Sequence, residues 1–210
     1  MRSNWDGGGS GATVDGATPF TTFQTRGSIF TTDGTGFQQA TADGVGGLDE
    51  QFPLLDYDTE FVRFSEKRLF VPVDSHTTDG FFSVPGSNGT IPAVVSAFGA
   101  VFSDVDVANA TTIQFFDIND MLLTTLAAPV SPGGLSFAGV LFTTESIARV
   151  RITTGNANIG AADEGATDVV AMDDFIFAEP TAVPEPATLL LSGLGLAICH
   201  RALRRRRSAR

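Results

Sequence analysis

From Gly27 onward the chain alternates short apolar runs with clusters of Gly, Pro, Asn and Asp. The runs are rich in Val, Ile, Phe and Thr, which suits a pleated, half-buried surface. They predict strands at Ser28–Thr32, Gly36–Thr41, Arg68–Val73, Gly80–Val84 and Val94–Ser103. Five more follow at Thr112–Phe116, Leu122–Ala127, Ser136–Phe142, Ala148–Thr153 and Asp168–Phe177. In the stretch around Arg149, alternation puts Val150 and Ile152 on one face and Arg149 and Arg151 on the other. Phe115 to Leu122 reads as strand, polar turn, strand, which is a hairpin. Outside the C-terminus no window holds a clean helical period. The expectation is an all-β antiparallel β-sandwich, jelly-roll-like, with a core drawn from the eighteen phenylalanines.

The pattern divides the chain further. Residues 1–26 are rich in Gly and Thr and read as a flexible arm. Residues 27–180 form the sandwich, and 181–186 a linker holding Val183, Pro184, Glu185 and Pro186. The two prolines remove backbone donors and favour extended chain, so no helix runs back through them. Residues 187–203 then read as a single transmembrane helix, and 204–210 as a basic tail. The apolar run Ala187–Cys199 covers roughly 20 Å as a helix, against a hydrocarbon core of roughly 30 Å. Such a length suits brief retention better than permanent anchoring. Arg201, Arg204, Arg205, Arg206 and Arg207 keep the tail cytoplasmic by the positive-inside rule, with the body on the other side.

Charge sharpens this division. Residues 1–182 hold twenty-three of the twenty-four acidic groups but seven of the thirteen basic ones, a formal charge of −16. So acidic a body repels nucleic acid and attracts divalent cations. Cys199 is the only cysteine and lies in the apolar run, so the body carries no disulfide. An export-type C-terminus calls for an N-terminal signal peptide, and residues 1–30 show neither a charged region nor an apolar one. The expectation is a true start upstream of Met1.

The order VPEP, short apolar segment, arginine-rich end resembles the PEP-CTERM sorting signal of Gram-negative bacteria. That resemblance implies an exported protein, retained briefly in the inner membrane and processed by an exosortase, then placed at the cell surface or in the extracellular matrix. It also implies a setting of exopolysaccharide and biofilm. The body resembles exported PEP-CTERM proteins of uncharacterised activity with a jelly-roll-like domain. The matching stretches are Phe98–Asp106, Thr111–Asn119, Arg149–Asn156 and Asp168–Glu179.

Catalytic chemistry finds little support. No serine has glycines two positions away on both sides: Ser136 follows Gly134 but precedes Ala138. His76 is the body's lone histidine, in a turn-like stretch, and has no orienting partner in sequence. Without cysteine and with one histidine, the body is poorly supplied for a catalytic zinc site of ordinary ligands. Paired carboxylates occur, but twenty-three acids make some pair close by chance. The expected catalytic residues are none, and the body is read as non-enzymatic.

Calcium is the one ion the residues invite, since it takes carboxylate and carbonyl oxygens. Asp173 and Asp174 interrupt the apolar final strand. Strict alternation puts Asp173 with Phe175 and Phe177, and Asp174 with Met172 and Ile176. A carboxylate near the core needs compensation, either a structural Ca2+ or an arginine such as Arg149 or Arg151. Asp173 also resembles a ligand in the last strand of calcium-binding jelly-roll carbohydrate modules. Asp117 to Met121 begins like a calcium loop but puts Met121 at the third ligand position, so it reads as a turn. Asp104 and Asp106 read as a solvated loop. Two functions remain, a surface or exopolysaccharide-matrix component and a calcium-dependent carbohydrate-binding module. With one Trp (Trp5) and one Tyr (Tyr57), the first is favoured.

Overall fold

The computed structural model describes residues 2–3, 13–15, 26–40, 60–65, 69–144 and 146–183. The transmembrane helix read at 187–203, the VPEP prolines, the arginine tail, Trp5 and Tyr57 lie outside the described residues. The described chain is mostly antiparallel sheet. In order, the strands are β1 (Arg2–Ser3), β2 (Thr13–Asp15), β3 (Ser28–Thr32), β4 (Gly36–Ala40), β5 (Leu69–Val73), β6 (Thr77–Phe82) and β7 (Ala93–Val94). They continue as β8 (Ala97–Val105), β9 (Thr112–Phe116), β10 (Leu122–Ala127), β11 (Ser131–Leu141), β12 (Arg149–Thr153), β13 (Ala171–Phe177) and β14 (Thr181–Ala182). One sheet runs β11-β8-β13-β5-β4-β2, with β1 also on β13; the other runs β10-β9-β12-β6-β3.

The pairing is nested. β3 and β4 fold onto β6 and β5, so one four-strand ribbon is shared between the two sheets. β8 and β9 fold onto β11 and β10 in the same way. The final ribbon then fills the gap: β12 lies between β9 and β6, and β13 lies between β8 and β5. The last ribbon to be made is therefore the centre of both sheets.

The two inner faces share one core. Phe30, Phe82, Phe115, Val150 and Ile152 from one sheet meet Phe98, Phe102, Met172, Phe175 and Phe177 from the other. Phe30 stacks on Phe175 across the gap at 4.4 Å between centroids, and Phe98 lies 5.7 Å from Phe175. Each such ring contributes about 2–3 kcal/mol through burial, and a ring pair about 1 kcal/mol more. This arrangement is sandwich-like, as the strand pattern implied.

The outer face of the first sheet is also covered. A second cluster of Phe61, Leu69, Val71, Val169 and Ala171 packs there. Segment 60–65 is fixed across it by the Val62 amide donating to Ser103 Oγ at 2.7 Å. This cover explains why β8 is buried along nearly its whole length, where one-sided burial would alternate.

Strand ends moved from their predicted places. β6 starts at Thr77 because Thr78 is buried and Asp79 pairs opposite Arg151, although the stretch reads as a turn. β11 runs back to Ser131 through a bulge that absorbs Pro132, Gly133 and Gly134. Within residues 1–26, β1 adds a short pairing on β13 and β2 a short pairing on β4 at the sheet edge. Past residue 180, β14 pairs with β7, and the Val183 amide donates to Pro92 O at 3.1 Å.

Candidate cation sites and the sorting tail

Asp173 and Asp174 are both fully buried. The β13–β8 register shifts between Met172 and Phe175, so the two aspartates occupy a bulge. That bulge corrects the alternation read from sequence. Met172 joins Phe175 and Phe177 in the core, while Ile176 is exposed. Backbone amides and a hydroxyl supply compensation at Asp173. Asp173 Oδ2 accepts the Phe64 and Ser65 amides, and its Oδ1 accepts Ser65 Oγ at 3.1 Å. The same hydroxyl reaches Asp174 Oδ1 at 3.2 Å. Burial, with the charge of Asp174 adding to it, still pushes the Asp173 carboxyl above the usual range. Those donors reach both Asp173 oxygens.

Neither arginine turns to this pair. Arg149 donates to Asp79 at 2.9 Å and to Asp120, and Arg151 reaches both oxygens of Asp79 at 2.9 and 2.7 Å. The Arg149 guanidinium also lies 3.8 Å over the Phe116 ring. The hydrogen bonds to Asp79 raise the Arg151 pKa. A cleft of about 320 Å³ opens beside this ladder, lined by Ile29, Phe81, Ile118, Arg149, Asp117 and Asp120. Asp117 is a turn residue, as read: its Oδ1 accepts the Asn119 and Met121 amides at 2.8 Å each. His76 Nδ1 lies 3.1 Å from Asn158 Oδ1.

A second acidic group stands at the end of β8, and sequence reasoning missed it. Asp104, read as part of a solvated loop, is buried at 3 % exposure. Its backbone is left-handed (φ 65°), and its Oδ1 accepts the Gly133 amide at 2.6 Å. Glu60 and Asp163 converge on it, with one oxygen from each of the three within 4.8 Å of the others. Glu60 comes from the segment before β5, and Asp163 from the β12–β13 connection. Asp168 lies in that same connection, fully buried.

Gly155 sets the local path of that connection. At φ 64° it lets the chain close on Asp168, where an added Cβ would stand 2.0 Å from the Asp168 carbonyl oxygen. The Asn156 amide donates to that carbonyl, and Asn156 Oδ1 accepts the Asp168 amide. The Asp106 amide then donates to Asp168 Oδ1 at 3.0 Å, while Oδ2 has no well-formed hydrogen bond.

Burial pushes Asp104 up to about 7, and the charges of Asp106 and Asp163 add to it. Burial likewise pushes Asp163 up to about 6, with Asp106, Asp168 and Glu60 contributing. Asp168 is raised too, chiefly by burial. The signal missed in sequence was the set of acids at Glu60, Asp104, Asp106, Asp163 and Asp168, which spacing alone does not gather.

These features define an all-β, sandwich-like body that is acidic, with its last described strand leading directly into the tail. Residues 182–207 of that tail match the PEP-CTERM protein-sorting motif. The chain thus carries this motif at its C-terminal end. No curated protein matches it in sequence. Among solved structures, it is similar to the enzymatically active domain of bacteriophage CBA120 tailspike protein 4, at 12 % identity and a TM-score of 0.30. The match covers 78 % of this chain and about a fifth of the tailspike chain (21 %). Among the described residues no helix is long and apolar enough to cross a membrane.

Proposed function

We propose that this is an exported, surface-sorted, non-enzymatic β-sandwich of jelly-roll-like wrapping. It is retained transiently in the inner membrane by its C-terminal segment, with the body outside. An exosortase then processes it, and it joins the envelope or the exopolysaccharide matrix. One observation carries this reading: the sorting motif starts at residue 182, within the strand that docks on β7. Cleavage near Val183–Pro186 leaves that pairing and both large sheets intact. The test is a Glu185→Ala, Pro186→Ala double variant in the native host. The expected result is an uncleaved chain held in the inner-membrane fraction. Unchanged surface delivery of an identically trimmed chain would overturn the proposal.

A second reading, a calcium-dependent carbohydrate-binding module at the surface, draws on the cleft beside Arg149. There exposed Phe81 and Ile118 lie next to charged hydrogen-bonding groups. Binding to the host's own polysaccharide, lost on Phe81→Ala substitution and in EDTA, supports that reading. Release of oligosaccharides from the polymer contradicts both.

A further inference from the structure

We propose that Glu60, Asp104 and Asp163 hold a divalent cation, calcium by their chemistry, with Asp168 as its buried neighbour. This location differs from the Asp173–Asp174 pair that the sequence draws attention to.

Three separated parts of the chain meet here: the segment before β5, the end of β8 and the β12–β13 connection. Each brings one carboxylate, with ligand atoms inside 4.8 Å. Calcium binds oxygen at about 2.3–2.6 Å, so two ligands on opposite sides of one ion stand at most about 5.2 Å apart. The three carboxylates therefore fit around a single ion. The donors are all hard oxygens, which excludes a preference for soft metals and suits calcium or magnesium. Calcium is favoured because it accepts irregular sets of protein oxygens, whereas magnesium keeps a strict octahedron and most of its water.

Proximity of acids alone would not establish a site. The second observation is the state of the buried oxygens. Asp163 Oδ1 is buried with no hydrogen-bond partner, its Oδ2 alone accepting the Val169 amide at 3.1 Å. The carboxylate of the fully buried Asp168 beside it has only the Asp106 and Val107 amides, with no well-formed bond at Oδ2. Asp168 is close enough to Asp163 for its charge to act on it. An unsatisfied buried carboxylate oxygen is costly, and a cation relieves it where no donor does. Asp173 provides the contrast within the same molecule, since amides and the Ser65 hydroxyl occupy both of its oxygens. The demand for an ion lies with the Asp104 cluster. A bound cation would pin segment 60–65 and the β12–β13 connection to β8, closing the outer hydrophobic cluster of Phe61 and Val169.

The test uses the full-length chain in detergent, stripped with EDTA and titrated with calcium chloride and, separately, magnesium chloride. Calorimetry should show one calcium per chain, with affinity in the range of about 10⁻⁴–10⁻³ M typical of extracellular modules. Asp104→Asn and Asp163→Asn should each weaken calcium binding at least tenfold. In EDTA both variants should melt at or above the wild type, because repulsion among the acids is relieved, yet lose the calcium-induced rise in melting temperature. That opposite pair of effects separates lost ligation from simple misfolding. Should Asp104→Asn fail to fold, Asp163→Asn and Glu60→Gln carry the same test. No calcium heat and no melting shift up to about 10 mM calcium overturns the inference. So does calcium binding that survives these substitutions but disappears in Asp173→Asn.

Discussion

Two buried aspartates, Asp173 and Asp104, show how differently one side chain type is accommodated. Asp173 is neutralised locally by the Phe64 and Ser65 amides and the Ser65 hydroxyl. Asp173→Ala leaves those donors buried and unpaired, so unfolding in urea should show a loss of about 2–4 kcal/mol, the same with and without calcium. Asp104 and Asp163 lack such a set of donors, and burial raises their pKa values to about 7 and about 6. Folded, they hold protons that the unfolded chain releases near pH 4. Their contribution to stability is therefore full at low pH and is lost as pH rises through about 6 to 7. In EDTA, wild type and Asp104→Asn should melt alike near pH 4, and the wild type should melt lower by pH 7.5. A wild type that gains on the variant with rising pH would contradict this. The sequence made Asp173 conspicuous because a charge inside an apolar strand breaks its period. Asp104 was hidden because it sits beside turn-forming residues, and the chain that buries it comes from residues 60–65 and from the β12–β13 connection.

At the scale of elements, β13 ties the sandwich together: it lies between β8 and β5, and Phe175 meets rings from both sheets. Phe175→Ala should cost about 3–5 kcal/mol in equilibrium unfolding, the range for a large buried ring that leaves a cavity. A loss below 1 kcal/mol would mean that the ring contacts across the sheets contribute little. Most strands were legible because alternation survives in them, as in β9 and β12, where Ile113, Phe115, Val150 and Ile152 point inward. The β13 bulge was not legible, because an inserted residue leaves no trace in composition. Neither was the start of β6, whose Thr-Thr-Asp is held by pairing with β12 and by the Asp79–arginine ladder. Nested pairing is likewise a long-range property, absent from any local window.

For the whole molecule, the division of labour was the most legible feature of all. A body of formal charge −16 precedes an apolar run and an arginine-rich end, and residues 182–207 match a sorting motif in the same order. β14 pairs with β7 and the Val183 amide donates to Pro92 O, so the described pairing reaches the first residues of the motif. The central claim is that a finished sandwich is delivered by a removable tail. Its most direct test is the intact mass of the protein recovered from the surface of its native host. The account predicts a chain ending between Val183 and Pro186, without the arginine tail. A surface or membrane form that runs unbroken through Arg210 would contradict it.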